Sequence, residues 1–205
     1  MLLDFNKLHH KYNMKIDGVI HIGAHFGQEY EIYKKYNIRD IIFFEPLPHT
    51  FETLKKNIGN NAILVNKALG NITGQIEMYI ETANQGQSSS ILKPEIHLQQ
   101  YPWIKFIAKV RVDIMKLDDY NFGEKKYNLI NMDVQGYEME VLKGSFETLN
   151  KIDYIICEVN RAEVYQNCAK VEELDQFLNN YGFQRVETNW EGGTWGDAFY
   201  IKNKI

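Results

Sequence analysis

Apolar and polar positions along the chain alternate between two modes. Short, nearly continuous apolar runs at residues 19–22, 41–45, 62–65, 127–132 and 152–159 are bounded by glycine, proline or asparagine, as buried parallel strands are. Between them lie stretches whose apolar residues return at helical spacing: 28–36, 50–57, 137–143 and 171–181, the last two stopped by Gly144 and Gly182. In the first of these Tyr30 and Tyr33, with Ile32 or Tyr36, form the apolar stripe. Alternation of this kind predicts an α/β fold, a doubly wound and mostly parallel sheet. Residues 183–187 and 198–202 close the chain as a terminal antiparallel pair.

The alternation breaks between Gly70 and Tyr127. There residues 75–80 and 109–115 switch face at every position, which predicts an inserted β-hairpin within a 71–126 insertion. Its connection, N-Q-G-Q-S-S-S-I-L-K-P-E-I-H, is long and polar, and residues 88–97 are expected to form a lid over the substrate side. The N-terminal segment 1–18 lacks a strand pattern and is expected to hold a short helix, 5–12.

Composition narrows the class. A chain of 205 residues with 44% hydrophobic content can bury one sizeable core, so 1–205 is expected to be one domain. A formal charge of −4 without a long basic run argues against nucleic acid as a partner. The opening M-L-L-D-F-N-K-L-H-H-K-Y is too polar for a signal peptide and no later run approaches a membrane span, so a cytoplasmic protein is expected. Cys157 lies in an apolar run and Cys168 in a polar one without a C-x-x-C partner, which points to neither disulfide nor zinc. Oligomeric state is left open.

The chemistry concentrates at V-I-H-I-G-A-H-F-G, residues 19–27, and at Glu45, which ends the second apolar run. A strand that breaks at Gly23 and Gly27, enters a helix, and is answered by an acid on the next strand describes a nucleotide-ribose pocket, with the glycines allowing a sharp turn and close ligand approach. His25 stands where a dinucleotide fingerprint has its middle glycine and would crowd a diphosphate. The spacing therefore favours a phosphate-free ligand such as S-adenosylmethionine. In an open parallel sheet ligands lie outside the carboxyl ends of the strands, which adds the Lys67-Ala68-Leu69 turn, 133–136 and 158–160 to the candidates. Asp133 and Glu158 end adjacent strands, and either can serve as a general base, with His97 from the lid as a third choice. These acids and Asn160 offer oxygen ligands without a spacing diagnostic of a metal site, so no metal ligand is assigned. Tyr101-Pro102-Trp103, and Trp190 with Trp195, offer aromatic faces for a sugar ring.

V-I-H-I-G-A-H-F-G, F-F-E-P, N-K-A-L-G, S-S-S-I-L, the block L-I-N-M-D-V-Q-G-Y-E-M-E-V-L-K-G and I-I-C-E-V together resemble the FkbM-type S-adenosylmethionine-dependent methyltransferases, from about Val19 to Lys202. The resemblance implies a Rossmann-like class I methyltransferase fold and O-methylation of a hydroxyl on a sugar, glycan or secondary metabolite. By position it implies that Gly23, Ala24, His25 and Gly27, with Gln28, line the methionine and ribose portions. Glu45 with Pro46 would hold the ribose, Ala68 and Leu69 would flank the adenine, and Asp133 and Gln135 would lie beside the methionine end. His21 and Gln135 depart from the pattern, standing where the family usually has an acid and a glutamate. Two other functions compete: a nicotinamide-dependent oxidoreductase or epimerase, which would lack the middle glycine, and a catalytically inactive cofactor-binding module, motivated by those two departures.

Overall fold

A computed structural model describes residues 2–203 of the protein. In chain order the elements are α1 (Phe5–Lys11), β1 (Gly18–Ile22), α2 (Tyr30–Lys35), β2 (Asp40–Phe44), α3 (Pro48–Ile58), β3 (Ile63–Val65), β4 (Ala68–Leu69), β5 (Gly74–Glu81) and α4 (Ile96–Gln100). They continue with β6 (Phe106–Met115), β7 (Leu129–Met132), α5 (Glu138–Lys143), α6 (Phe146–Leu149), β8 (Tyr154–Asn160), α7 (Val171–Asn179), β9 (Phe183–Glu191) and β10 (Trp195–Lys202). Seven strands form one sheet in the order β3-β2-β1-β7-β8-β10-β9.

Every residue of β1, β7 and β8 is buried, which is why these strands read as continuous apolar runs rather than alternating ones. Successive residues still feed opposite layers. Ile20, Ile22, Ile130 and Ile155 pack with Val141 of α5 and Leu174 of α7, whereas Val19, Ile41, Leu129 and Ile156 pack with Phe5 of α1, Tyr33 of α2 and Leu54 of α3. Each such fully buried large side chain contributes roughly 1.5–3 kcal/mol. Asp4 starts α1 by accepting from the amides of Asn6 and Lys7 at 2.9 and 3.2 Å, satisfying two of the orphan donors of its first turn.

The terminal pair forms, but the last strand does not sit at the edge. β10 runs antiparallel between β8 and β9, with Asp197 opposite Glu158 and Asn189. Two further expectations shift. β8 continues to Asn160 because β10 pairs along its whole length, so Glu158 lies inside a strand rather than at its tip. Ala68 and Leu69, expected in a turn, form β4, which pairs in parallel with Ile114 and Met115 of β6 in a separate three-stranded sheet, β4-β6-β5. Two residues are too few to show a period, and their partner lies some forty-five positions downstream. The helix expected over 28–36 is shorter, because residues 25–29 are taken up in turns. No helix among the described residues is long and apolar enough to cross a membrane.

Candidate active site

A cleft of about 520 Å³ opens across the carboxyl ends of β2, β1, β7 and β8. Its floor is the turn after β1. Gly23 and Ala24 both donate their N–H to the Phe44 carbonyl at 3.0 Å, so the chain folds back over β2 at once. Gly23 has φ +78°, and a Cβ there would lie 1.9 Å from the Asp133 carbonyl oxygen. Gly27 also has φ +78°, and its Cβ would stand 2.8 and 2.9 Å from the Leu54 and Ile58 methyls of α3. The glycines are thus required by neighbouring protein, not by the ligand alone. Gly27 is not among the residues lining the cleft, whereas Gly23, Ala24, His25 and Gln28 are.

His25 occupies the position where a dinucleotide site keeps a glycine, at φ +48°. Its ring turns aside to bridge two segments: Gln28 Nε2 is 2.8 Å from Nδ1, and Nε2 is 2.9 Å from the Gln85 carbonyl. An amide nitrogen only donates and a carbonyl only accepts, so the ring is assigned as the neutral tautomer with hydrogen on Nε2. The turn is thereby tied to the loop after β5.

Glu45 follows β2 and is 5% exposed. One carboxylate oxygen accepts from the His25 amide and the other from the Leu47 amide, both at 2.9 Å. Burial pushes its pKa up to about 7 against the pull of those two amides. Each oxygen keeps a further lone pair, and the residue lines the cleft. Pro46, Ala68 and Leu69 continue the wall beside it, the last two nearly fully buried.

His21 lines the opposite stretch. Its Nδ1 lies 3.1 Å from the Tyr33 hydroxyl, which accepts from Asn131 Nδ2 at 2.7 Å. Burial pushes the imidazole's pKa down, so the residue is neutral where an acid would carry charge.

Beyond it the carboxylates gather. Asp133 Oδ1 and Glu158 Oε2 accept from the same Gln135 Nε2, at 2.7 and 2.8 Å. Glu138 is buried at the start of α5 and accepts from the Val134 and Gly136 amides. Carboxylate oxygens of Asp133, Glu138 and Glu158 lie within 4.8 Å of one another. Burial, with the neighbouring Asp133 charge, raises Glu138 to about 7. Burial and then Asp133, Glu138 and Asp197 raise Glu158 well above the carboxylate range. Asp133 is half-buried and lines the cleft together with Glu158 and Gln135.

The expected lid is ordered by its polarity. Ser88, Ser89 and Ser90 are buried, Ser90 completely. Glu81, 1% exposed, accepts from the Asn84 amide at 2.7 Å and the Ser88 amide at 3.3 Å, and its own N–H donates to Ser89 Oγ. Ser90 Oγ donates to the Gln135 carbonyl at 2.7 Å and accepts from the Leu92 amide at 2.9 Å. His97 sits in α4, buried among Tyr101, Phe106 and Tyr165, lining the cleft, with Nδ1 buried and without a partner among the described residues. Burial lowers its pKa, so it is a neutral wall residue. Tyr101, half-exposed Trp103 and Trp195 line the mouth, with Trp195 Nε1 donating to the Tyr101 hydroxyl at 3.1 Å. Trp190 does not join them; it stacks under Arg161, 3.7 Å from its ring centroid.

Sequence reasoning missed Glu81, Asp197 and Tyr165. Tyr165 is fully buried and its hydroxyl lies 2.7 Å from Gln135 Oε1 and 3.0 Å from the Ser88 carbonyl. It falls in a polar stretch without periodicity, and only its aromatic character inside that stretch gave a signal. Cys168, placed in the same polar stretch, is buried beside it.

Comparison with known proteins places this geometry. Residues 21–185 match the model of the family described as Methyltransferase FkbM domain. A relative from Sinorhizobium fredii (strain NBRC 101917 / NGR234), 2-O-methyltransferase NoeI, is 29% identical over 197 residues, covering 91% of this chain and 80% of that protein. Among solved structures, the plantazolicin methyltransferase BpumL in complex with SAH superposes with a TM-score of 0.56 at 11% identity, over 96% of this chain and 79% of that one. The ribosomal protein L11 methylase from Lactobacillus delbrueckii subsp. bulgaricus gives 0.52 at 12% identity, over 97% and 76%. These structural likenesses establish the class I methyltransferase fold.

Proposed function

From the premise that this chain belongs to the FkbM methyltransferase family, and so is an S-adenosylmethionine-dependent methyltransferase, we propose that it methylates a hydroxyl of a sugar or glycan, with Asp133 as the base. The nicotinamide reading gives way to the family match, and His25 stands where a dinucleotide fingerprint keeps its middle glycine.

The observation that carries the proposal is Glu45, fixed by two backbone amides at the rim of an open cleft. The residues fit the cofactor. A cleft of about 520 Å³ falls in the range of small-molecule sites. Glu45 has lone pairs left for two ribose hydroxyls, Ala68 and Leu69 give an apolar wall for an adenine, and Asp133 supplies negative charge toward a cationic group. When bound, S-adenosylmethionine supplies an electrophilic methyl on sulfur. The protein's task is then to align the acceptor hydroxyl and to take its proton, and alignment alone accelerates such displacements greatly. Asp133, half-buried and held by Gln135, takes that proton; Glu158, its pKa raised by burial, stays the protonated partner. Tyr101, Trp103 and Trp195 at the mouth suit the apolar face of a sugar ring. The relative that is a 2-O-methyltransferase supports a hydroxyl acceptor. The net charge of −4 supports a small molecule over nucleic acid.

Titration calorimetry with S-adenosylmethionine and S-adenosylhomocysteine tests this. Both bind the wild-type protein, and Glu45→Ala weakens binding about 10- to 100-fold, the loss expected for hydrogen bonds to a charged group. Ribose hydroxyls donate to the ionised carboxylate, so affinity falls as pH drops below about 7, where Glu45 takes up its proton. The ligand-free protein shows the opposite trend. Between the ordinary value of 4.5 and about 7 the folded state holds a proton the unfolded chain has released, so stability declines as pH rises through that window, by up to about 1.4 kcal/mol per unit. Absence of heat with either ligand overturns the proposal. Labelled-methyl transfer to a panel of mono- and oligosaccharides identifies the acceptor.

A further inference from the structure

Gln135 is where three segments meet. Its single amide nitrogen lies 2.7 Å from Asp133 Oδ1 and 2.8 Å from Glu158 Oε2, and its carbonyl oxygen 2.7 Å from the Tyr165 hydroxyl. Two N–H groups meet two carboxylates, and the carbonyl end meets a donor. Turning the amide end for end would set an oxygen against two carboxylates, so this orientation is fixed by its surroundings. The backbone is fixed as well: Gln135 has φ +55°, and its own carbonyl accepts from Ser90 Oγ at 2.7 Å. The Tyr165 hydroxyl has one proton and two acceptors within reach, Gln135 Oε1 at 2.7 Å and the Ser88 carbonyl at 3.0 Å. One donor therefore links the buried serines to the carboxylate pair.

We propose that Gln135 and Tyr165 are positioning residues for methyl transfer: Tyr165 orients the Gln135 amide, and the amide holds Asp133 and Glu158 side by side, leaving Asp133 turned toward the acceptor. The inference rests on the assignment of Asp133 as the base. Charge explains why an amide suits this position. Asp133 faces Glu158 from the end of β7, Glu138 from α5 and Asp197 from β10, with Cys157 adjacent on β8 and the Tyr165 hydroxyl behind the amide. A glutamate at 135 would add one more negative group to this set, and it offers no N–H to either neighbour.

The test needs no acceptor. In protein carrying carboxyl-¹³C aspartate and glutamate, with S-adenosylhomocysteine bound, NMR titration gives the Glu158 midpoint, assigned with Glu158→Gln. Tyr165→Phe releases the amide and raises that midpoint by about half to one pH unit; Gln135→Glu raises it by about one unit or more. Thermal unfolding of each variant is measured alongside. If Tyr165 served packing alone, Tyr165→Phe would lower the melting temperature and leave the midpoint within about 0.2 unit of wild type, and that result overturns the inference. Unchanged midpoints in both variants overturn it too. Failure of S-adenosylhomocysteine to bind wild-type protein overturns the cofactor assignment instead, while the shift between variants is still read in the free protein.

Discussion

Glu45 and Glu81 are the same device used in two ways. Each is a buried carboxylate next to the end of a strand, and each accepts from two backbone amides, His25 and Leu47 in one case, Asn84 and Ser88 in the other. Glu45 lines the cleft and keeps a lone pair free on each oxygen. Glu81 closes on its own loop and spends its oxygens holding the serine segment in place. The first region is shaped by backbone geometry over some twenty residues; the second by side chains that reach across the chain, from Ser90 to Gln135 and from Tyr165 to Ser88. A binding floor and a polar wall can therefore be equally ordered for unlike reasons.

The largest effect falls on the floor. Gly23→Ala places a Cβ 1.9 Å from the Asp133 carbonyl at φ +78°, and it is expected to destabilise by about 3 kcal/mol or more, or to prevent folding. Gly59→Ala, at φ +59° and ψ −132° with nothing within 4 Å, should cost less, about 1–3 kcal/mol from dihedral preference alone. Urea unfolding of the pair decides whether packing or dihedral preference rules the turn; equal costs would break the contrast. The polar wall responds next. Ser90→Ala strips a donor from the Gln135 carbonyl and an acceptor from the Leu92 amide at a fully buried site, a loss of about 1–3 kcal/mol in the same measurement. A neutral outcome would mean the serines are passengers. The smallest effect is at the rim: Trp103→Ala, at a side chain 55% exposed, should leave stability within about 0.5 kcal/mol while raising KM for a sugar acceptor.

How far the sequence spoke follows the same division. The strand, glycine turn, helix and Glu45 were legible because each signal is local: an apolar run, a residue without Cβ, an acid one strand on. The hairpin was legible from its alternation, and α1 only from the lack of a strand pattern in its segment. Three things were hidden. β4 is two residues long and exists only because β6 comes back to it. The serine run reads as part of a polar lid, with nothing to show that it would be buried; its burial depends on acceptors supplied by Glu81 and Gln135. Tyr165 carried no pattern, and its role is visible only once Ser88 and Gln135 stand on either side of it. Even the glycines were read for half a reason, with Leu54 and Ile58 of α3 supplying the other half at Gly27.

The placement of β10 has a consequence for biosynthesis. Because this late segment wedges between β8 and β9, the sheet cannot be completed in the order in which it is made. A nascent chain that has released β8 from the ribosome presents seven apolar-flanked residues with one flank unpaired until β10 has emerged. Loss of β10 would therefore leave a gap between β8 and β9, not a shortened margin, and would expose a sticky template for self-association.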